Sequence, residues 1–201
     1  MRQFWEDRYG RDEFAYGVEP NQFLKDQLTD MEPGTILFPA EGEGRNAVFA
    51  AELGWTVSAF DLSNEGQRKA NLLAQKKGVE IDYILDPISD LPYTEHQFDA
   101  MALIYAHFPA EVKSTFHILL SNYVKPSGIV IFEAFSKNHL ALNNEKAGGP
   151  KDIHMLFSVE EVQNDFSDFE VLYLKEEEVE LSEGLYHNGI SSVVRFIGKK
   201  K

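Results

Sequence analysis

Short apolar runs alternate along the chain with longer segments in which apolar residues recur at helical spacing. The apolar runs predict β-strands at residues 35–38, 56–60, 81–85, 98–105 and 128–135. The longer segments predict helices at residues 44–53, 64–77 and 110–123. Strands that alternate with helices in this way are typical of a parallel sheet covered by helices. The pattern therefore predicts an α/β fold that is doubly wound and Rossmann-like.

Residue types at the element ends support these boundaries. Ser63 is a favourable N-cap for the second helix, and Gly78 is a typical C-terminal stop. Ser158, with Glu161 three residues later, predicts the capping box of a further short helix. The Lys-Pro-Ser-Gly sequence at 125–128 predicts a turn that closes the third helix.

The regular alternation ends after residue 135. Residues 136–152 include two adjacent glycines and a proline, and they predict a long loop. Two apolar runs at 169–181 and 190–198 follow without a strong helical segment between them, so we expect an antiparallel pair at the sheet edge. At the other end, residues 1–31 predict a helical cap on a core of residues 32–201. The whole chain, 1–201, is expected to be one domain.

Composition and charge narrow the possible functions. The 201 residues include no cysteine, which excludes disulfides, zinc–thiolate sites and cysteine nucleophiles. The sequence contains no apolar run long enough to span a membrane and no signal-peptide core at the N-terminus, so we expect a cytoplasmic protein without a membrane partner. A formal net charge of −14 opposes the approach of nucleic acids. We therefore expect a small-molecule substrate, while the oligomeric state is not indicated.

The first predicted strand runs into the sequence Ala-Glu-Gly-Glu-Gly at 40–44, and a helix follows at once. Glycines at such a strand–helix turn let the backbone turn tightly and approach a ligand. Asp61 ends the second strand, where a carboxylate can accept hydrogen bonds from both hydroxyls of a ribose. The alternative is that Asp61 only caps the next turn.

Charge in this loop distinguishes between nucleoside ligands. Glu41 and Glu43 would repel a pyrophosphate, and Arg45 compensates only in part. S-adenosylmethionine carries an ammonium and a sulfonium and no phosphate, so two carboxylates suit it. Ala47 also replaces the third glycine of the usual dinucleotide fingerprint. The loop therefore favours S-adenosylmethionine over NAD.

Further candidates follow the later strands. Asp86 suits the exocyclic amine of adenine, with Ile88 packed on the ring, although an aspartate that begins a turn before proline is an alternative. The predicted cofactor-binding residues are Glu41, Gly42, Glu43, Gly44, Asn46, Asp61, Leu62, Asp86, Ile88 and Tyr105.

No histidines and carboxylates have metal-ligand spacing, so no metal site is predicted.

The substrate pocket is predicted from residues outside this loop. His107 lies just past the fourth strand and is the candidate general base, with a packing or solubilising role as the alternative. Glu133 lies within the fifth strand, where it is either a site residue or half of a buried structural pair. Tyr16, in the cap, and His187, in a late loop, complete the predicted substrate pocket.

Several stretches together resemble a known family. They are the opening FWEDRYGRDEFAYGVEPNQFL, the cofactor stretch ILFPAEGEGRNAVFAAELGWTVSAFDLS, and the later FDAMALIYAHF and YVKPSGIVIFEAF. The chain resembles class I S-adenosylmethionine-dependent methyltransferases of the tellurite-resistance and thiopurine methyltransferase neighbourhood. The resemblance covers nearly the whole chain and implies a seven-stranded sheet whose last strand is antiparallel.

The resemblance also implies roles within the cofactor site. Glu41, Gly42 and Gly44 would line the methionine end of S-adenosylmethionine, Asp61 would hold the ribose, and Asp86 and Ile88 would face the adenine. Phe38 and Ala40 depart from the family, which often has an acidic residue and a glycine at these positions. Glu41 is a candidate for the acidic role.

The leading functional hypothesis is methyl transfer from S-adenosylmethionine to a small acceptor, such as a thiol, a metalloid oxyanion or a metabolite. Such a displacement depends mainly on alignment and exclusion of water, so it requires no catalytic triad. The alternative is a non-catalytic adenosyl-binding or regulatory protein with the same fold. An NAD-dependent oxidoreductase would require tight NAD binding, which the acidic loop disfavours.

Overall fold

A computed structural model of the protein describes residues 2–142 and 144–201. Met1, in the predicted cap, and Asn143, in the predicted loop 136–152, lie outside the described residues. The strands are β1 (Thr35–Pro39), β2 (Thr56–Phe60), β3 (Asp82–Ile84), β4 (Phe98–Ile104), β5 (Val124–Phe135), β6 (Phe169–Glu183) and β7 (His187–Lys200). The α-helices are α1 (Arg2–Tyr9), α2 (Gln22–Thr29), α3 (Arg45–Glu52), α4 (Asn64–Lys77), α5 (Lys113–Ser121) and α6 (Val159–Asp165).

The strands form a seven-stranded sheet in the order β3-β2-β1-β4-β5-β7-β6. Strand β2 pairs in parallel with β1 and β3, and β4 pairs in parallel with β5. Strand β7 pairs antiparallel with β5 through a register that includes Glu133 opposite Arg195. The predicted fold class, a mostly parallel Rossmann-like sheet with antiparallel C-terminal strands, is confirmed.

The chain divides into two compact units. The N-terminal unit extends to Pro92 and includes Glu183–Leu185, and the C-terminal unit contains Tyr93–Ser182 and Tyr186–Lys201. In the N-terminal unit, Ile36, Leu37 and Phe38 of β1 are fully buried. A continuous apolar run of this kind is typical of a parallel strand covered on both faces.

Helix α4 begins and ends where its capping residues predict. The Ser63 hydroxyl accepts a hydrogen bond from the Gly66 amide, and Gly78 has a positive φ of 72° at the C-terminal end. A second cap comes from helix α1, because the Glu6 carboxylate accepts hydrogen bonds from the Asn64 and Glu65 amides and from the Ser63 hydroxyl. Burial opposes the charge, but these hydrogen bonds lower the pKa of Glu6 to about 2.

Replacement of Glu6 by glutamine is expected to lower the free energy of unfolding by about 1 kcal/mol at pH 7, because the helix loses a charged N-terminal cap. Since the pKa of Glu6 is lowered from 4.5 to about 2, its contribution is complete above pH 4.5 and is lost as the pH falls toward 2. Urea unfolding at pH 7 and at pH 3 measures both values. Asp7→Asn, an exposed change on the same helix, is the control. An equal loss at the two pH values would contradict the prediction.

In the C-terminal unit, strand β5 begins earlier than residue 128, where the sequence analysis placed it. Val124 already pairs with Phe98, and the register shifts before the next pair, Ala100 with Ile129. Ser127, within the predicted turn 125–128, has a positive φ of 63°. The predicted turn is therefore an irregularity inside a longer strand, because pairing resumes on the same neighbouring strand.

Other bounds also differ from the sequence prediction. Strand β7 begins at His187 and not at 190, so His187 lies on a strand and not in the predicted late loop. Helix α5 begins at Lys113 and not at 110, because the Val112 and Lys113 amides both bond to the Pro109 carbonyl and form a turn there. The predicted loop 136–152 contains the 3-10 helices Lys137–Leu142 and Glu145–Ala147. The capping box of α6 is confirmed, with both hydrogen bonds between Ser158 and Glu161 present.

A buried polar pair joins α5 to α6. His117 Nδ1 lies 2.8 Å from Asp165 Oδ2, and the imidazole stacks against Phe157 and Phe166.

No helix among the described residues is both long and apolar enough to cross a membrane.

Candidate functional site

The loop between β1 and α3 depends on two glycines with positive φ. Gly42 has φ 65° and Gly44 has φ 85°. A Cβ atom on Gly44 would lie 2.5 Å from the Cβ of Ala70 and 2.8 Å from its Cα, so α4 packs directly against the loop backbone. A side chain at Gly44 would require both a strained φ and movement of α4.

Both backbone polar groups of Gly42 are held by the neighbouring strands. Its amide donates to Asp61 Oδ2 at 3.1 Å, and its carbonyl accepts from the Tyr83 hydroxyl at 2.6 Å. Asp61 directly follows β2, and Tyr83 lies within β3. The loop conformation is therefore fixed by side chains at successive strands of the N-terminal unit.

Asp61 also stabilises the turn that follows β2. Its Oδ1 atom accepts hydrogen bonds from the amides of Leu62 at 2.7 Å and Ser63 at 2.9 Å. The side chain is buried, and burial raises the pKa of Asp61. The observed hydrogen bonds of Asp61 are therefore those of the turn-capping alternative. Ribose binding by Asp61 stays a prediction. A carboxylate offers about four acceptor positions, and the bonds to Gly42, Leu62 and Ser63 occupy three of them.

Glu41 caps helix α3. Its Oε1 atom accepts hydrogen bonds from the amides of Asn46 at 3.0 Å and Ala47 at 2.8 Å. Burial nevertheless raises the pKa of Glu41 to about 7, and the charged groups that face it are Arg45 and Asp61. Desolvation thus disfavours the charged form of this carboxyl group, and a nearby cation would favour it.

Glu43 contacts the cap segment. Its carboxylate forms a buried ion pair with Lys69 Nζ at 2.8 Å and accepts from the Ala15 amide at 2.7 Å. This corrects part of the electrostatic argument from the sequence, which counted Glu43 as free negative charge in the loop. Lys69 neutralises it, so the acidic character rests on Glu41 and Asp61.

Arg45 and Asn46 likewise contact the cap. Arg45 donates to the Tyr16 and Glu19 carbonyls at 3.4 and 3.3 Å, and the Asn46 side-chain oxygen accepts from the Asn21 amide at 2.9 Å. Arg45 also pairs with Glu183, at the end of β6, at 2.8 Å. Tyr16, a predicted pocket residue, accepts a hydrogen bond from Arg8 at 2.9 Å through its hydroxyl. These partners are distant in sequence, and no local pattern identifies them.

The remaining predicted cofactor residues of the N-terminal unit differ in exposure. Ile88 is buried at the start of a 3-10 helix, Ile88–Asp90, and Asp86 is half-buried just before it. Leu62 is 36% exposed. The structure thus places an apolar side chain after β3, as the predicted adenine contact requires.

In the C-terminal unit, the residues that follow β4 pack into an aromatic group. Tyr105 has a positive φ of 52°, and its ring centroid lies 4.7 Å from Phe135 and 4.6 Å from His187. His107 stacks on Phe135 at 5.8 Å. His139, which the sequence analysis did not select, packs on the same phenyl ring at 4.3 Å. We call His107, His139, His187, Tyr105 and Phe135 the histidine cluster.

Glu133 forms the buried structural pair that the sequence analysis gave as one alternative. Its carboxylate lies 2.6 Å from Arg195 Nε on the adjacent strand, and Arg195 also contacts Glu177 at 3.3 Å. Glu133 is fully buried, so the ion pair compensates a charge that would otherwise be costly.

Ala40 occupies the left-handed region at the end of β1, with φ 52°. Replacement by glycine is expected to raise the free energy of unfolding by up to about 1 kcal/mol, because glycine adopts this conformation without steric cost. Urea unfolding measures the change. Ala50→Gly, the same substitution inside α3, is the matched control and is expected to destabilise the protein by about 1 kcal/mol or more. Destabilisation by Ala40→Gly would contradict the prediction.

Comparison with known proteins places this geometry in context. Residues 36–128 match a family model described as a methyltransferase domain. No curated protein matches the chain. Among solved structures, TehB from Haemophilus influenzae is 16% identical with a TM-score of 0.72, and the match covers 100% of this chain and 67% of that chain.

Two further structures have the same fold. A SAM-dependent methyltransferase from Methanosarcina mazei is 18% identical with a TM-score of 0.69, covering 91% of this chain and 99% of that one. The 1,6-didemethyltoxoflavin-N1-methyltransferase of Burkholderia thailandensis is 19% identical with a TM-score of 0.62, covering 89% and 75%. The resemblance seen in the sequence is confirmed: residues 36–128 match a methyltransferase domain, and the chain has the fold of the class I S-adenosylmethionine-dependent methyltransferases.

Proposed function

We propose that this chain transfers a methyl group from S-adenosylmethionine to a small-molecule acceptor. The observation that carries the proposal is the pair of carboxyl groups that follow β1 and β2, the half-buried Glu41 and the buried Asp61, in a chain whose residues 36–128 match a methyltransferase domain. In sheets of this kind, ligands bind at the carboxyl ends of the strands.

The chemistry of these groups fits a cationic cofactor. Burial disfavours the charged form of both carboxyl groups, and a ligand ammonium would offset that cost. A pyrophosphate would instead add negative charge beside them. Glu41 would hold the methionine end, Asp61 the ribose, and Ile88 the adenine. When bound, S-adenosylmethionine supplies an electrophilic methyl group on its sulfonium.

The cap of the N-terminal unit is suited to exclude water from the loop. Tyr9 is only 5% exposed, and its hydroxyl would meet a Cβ on Gly42 at 2.5 Å, so the ring lies directly on the loop backbone. Trp5 stacks on Tyr9 with ring centroids 5.3 Å apart. Water exclusion and alignment are the main tasks of a protein in this reaction.

A small acceptor agrees with the charge of the protein, since the net charge of −14 opposes nucleic-acid substrates. The structurally similar enzyme from Burkholderia thailandensis was solved with bound 1,6-didemethyltoxoflavin and S-adenosylhomocysteine. Burial lowers the pKa of His107 to about 3, so it is a neutral hydrogen-bond acceptor at pH 7 and a poor reservoir for a proton. We therefore assign His107 an orienting role in place of the general-base role.

The test is a screen with methyl-labelled S-adenosylmethionine against small thiols, metalloid oxyanions, and hydroxyl- and amine-bearing metabolites. Transfer of label to one acceptor class supports the proposal. Cofactor binding without transfer to any class would favour the non-catalytic adenosyl-binding alternative. Absence of cofactor binding by folded protein would overturn both.

A further inference from the structure

Two histidines of the histidine cluster are held in defined tautomers by backbone carbonyls. His107 Nδ1 lies 3.3 Å from the Met155 carbonyl oxygen, and His139 Nε2 lies 3.2 Å from the Gly148 carbonyl oxygen. A carbonyl only accepts hydrogen bonds, so each of these ring nitrogens carries the hydrogen. In the neutral imidazoles, His107 Nε2 and His139 Nδ1 therefore each present a lone pair.

These two lone pairs are buried and unused. Neither His107 Nε2 nor His139 Nδ1 has a hydrogen-bond partner among the described residues. Both rings pack on Phe135, with centroids at 5.8 Å and 4.3 Å. A buried acceptor without a partner is costly, and such groups are rare in native proteins. Two of them against one phenyl ring indicate a place where a ligand supplies the donors.

His107 and His139 offer acceptors in their neutral forms. Burial lowers the pKa of His107 to about 3 and lowers that of His139 below its ordinary value. Both imidazoles are thus neutral at pH 7. A lone pair repels an anion, so this arrangement disfavours a thiolate or an oxyanion and favours a neutral hydroxyl or N–H group.

The surroundings of the two histidines are aromatic. Tyr105 and His187 pack edge to face at 4.6 Å, and Phe157 lies 6.0 Å from His107. The loop backbone also approaches closely, because a Cβ on Gly149 would lie 2.8 Å from Cδ2 of Phe135. Aromatic walls favour a planar, apolar body that carries its polar groups at the edge.

We propose that the histidine cluster binds the methyl acceptor, and that this acceptor is a neutral, planar aromatic or heteroaromatic molecule that donates hydrogen bonds from a hydroxyl or ring N–H to His107 and His139. The identification of the bound molecule as the acceptor rests on the proposed function. His107 and His139 act here as positioning groups that select a donor-bearing ligand.

The test uses three probes of similar shape at pH 7, which are 2-naphthol, 2-methoxynaphthalene and 2-naphthoate. Only the first is a neutral donor. We expect the wild-type protein to bind 2-naphthol at least about 10-fold more tightly than either other probe, which corresponds to one hydrogen bond. The single hydroxyl hydrogen of 2-naphthol reaches one of the two lone pairs, so in either His139→Phe or His107→Phe the preference for 2-naphthol over its methyl ether is expected to fall below about 3-fold. His154→Phe, at an exposed histidine outside the cluster, is the control and should keep the preference.

A second measurement uses the wild-type protein alone, so its outcome does not depend on whether the variants fold. Nitrogen chemical shifts of the wild-type imidazoles should show hydrogen on Nδ1 of His107 and on Nε2 of His139, and one of the two unprotonated nitrogens should shift when 2-naphthol is added. Equal binding of 2-naphthol and its ether, tighter binding of 2-naphthoate, or unchanged nitrogen shifts would overturn the proposal.

Titration of the same samples with S-adenosylmethionine separates this proposal from the proposed function. Cofactor binding without a preference for 2-naphthol would overturn the proposed acceptor class but would not contradict the proposed methyl transfer. A preference for 2-naphthol without cofactor binding supports the ligand site but overturns its identification as the acceptor site.

Discussion

Replacement of Asp61 by alanine is expected to weaken the binding of S-adenosylmethionine by about 10-fold or more. The charge-assisted hydrogen bond that its remaining acceptor position offers to a ribose hydroxyl would be lost, and such a bond contributes about 1.5 to 3 kcal/mol. The substitution also removes the acceptor of the Gly42 amide, so the loop loses part of its preorganisation. Both losses weaken cofactor binding.

Isothermal titration calorimetry with S-adenosylmethionine and its demethylated product measures this loss. Asp82→Ala is the matched control, since Asp82 is exposed on the neighbouring strand β3 and should leave binding unchanged. Urea unfolding of both variants separates loss of binding from loss of fold. A folded Asp61→Ala protein with wild-type affinity would show that the carboxylate only caps the turn after β2.

Replacement of Glu41 by glutamine is expected to stabilise the cofactor-free protein at pH 8 by about 1 to 3 kcal/mol, because a partly desolvated carboxyl group no longer has to ionise. The amide oxygen can still accept from the Asn46 and Ala47 amides. Below pH 4.5 the carboxyl group is protonated in the folded and unfolded states alike, and the stabilisation should vanish. It should grow as the pH rises from 4.5 to about 7, where only the unfolded chain ionises readily.

The same substitution is expected to weaken cofactor binding. In the wild-type protein, affinity should rise as the pH increases toward 7 and Glu41 becomes charged, and then level off. The glutamine variant should bind about 10-fold or more weakly at pH 8, with a flatter profile below pH 7, because it offers no charge to the ligand ammonium. Arg45 and Asp61, the charged groups that face Glu41, are present in both proteins.

Denaturant unfolding and calorimetry across pH 5 to 8 test both expectations. Glu80→Gln, an exposed carboxyl group in the same unit, is the control for the change in net charge. Parallel pH profiles of affinity for the wild type and Glu41→Gln would contradict the assignment of Glu41 to the cofactor. Unchanged stability at pH 8 would contradict its raised pKa.

The parts of the fold that were predicted correctly depend on short-range chemistry. Ser63 and Gly78 delimit α4, and Ser158 with Glu161 begins α6, because each cap bonds to a backbone group only a few residues away. The strand bounds at 56–60 were also correct, since Val57 to Phe60 are buried in a strand with parallel neighbours on both sides. Strand β5 was misjudged because a proline and a glycine read locally as a turn, whereas pairing with β4 continues through them.

The side-chain partners in the site could not be predicted in the same way. Glu43 pairs with Lys69, which lies 26 residues later in the chain, and Arg45 pairs with Glu183, which lies 138 residues later. No periodicity or spacing encodes such pairs, so the sequence indicated acidic residues in the loop but not that one of them is neutralised. His139 was missed for the same reason, since its place beside Phe135 depends on a loop conformation without a local signal.

We propose that the loop from Ala40 to Gly44, with Asp61, binds S-adenosylmethionine. Calorimetric titration of the wild-type chain with S-adenosylmethionine, and with NAD for comparison, measures this binding. We expect one site with micromolar affinity for S-adenosylmethionine, rising in affinity toward pH 7, and no comparable binding of NAD. Tight binding of NAD, or no binding of S-adenosylmethionine by a protein that unfolds cooperatively, would contradict it.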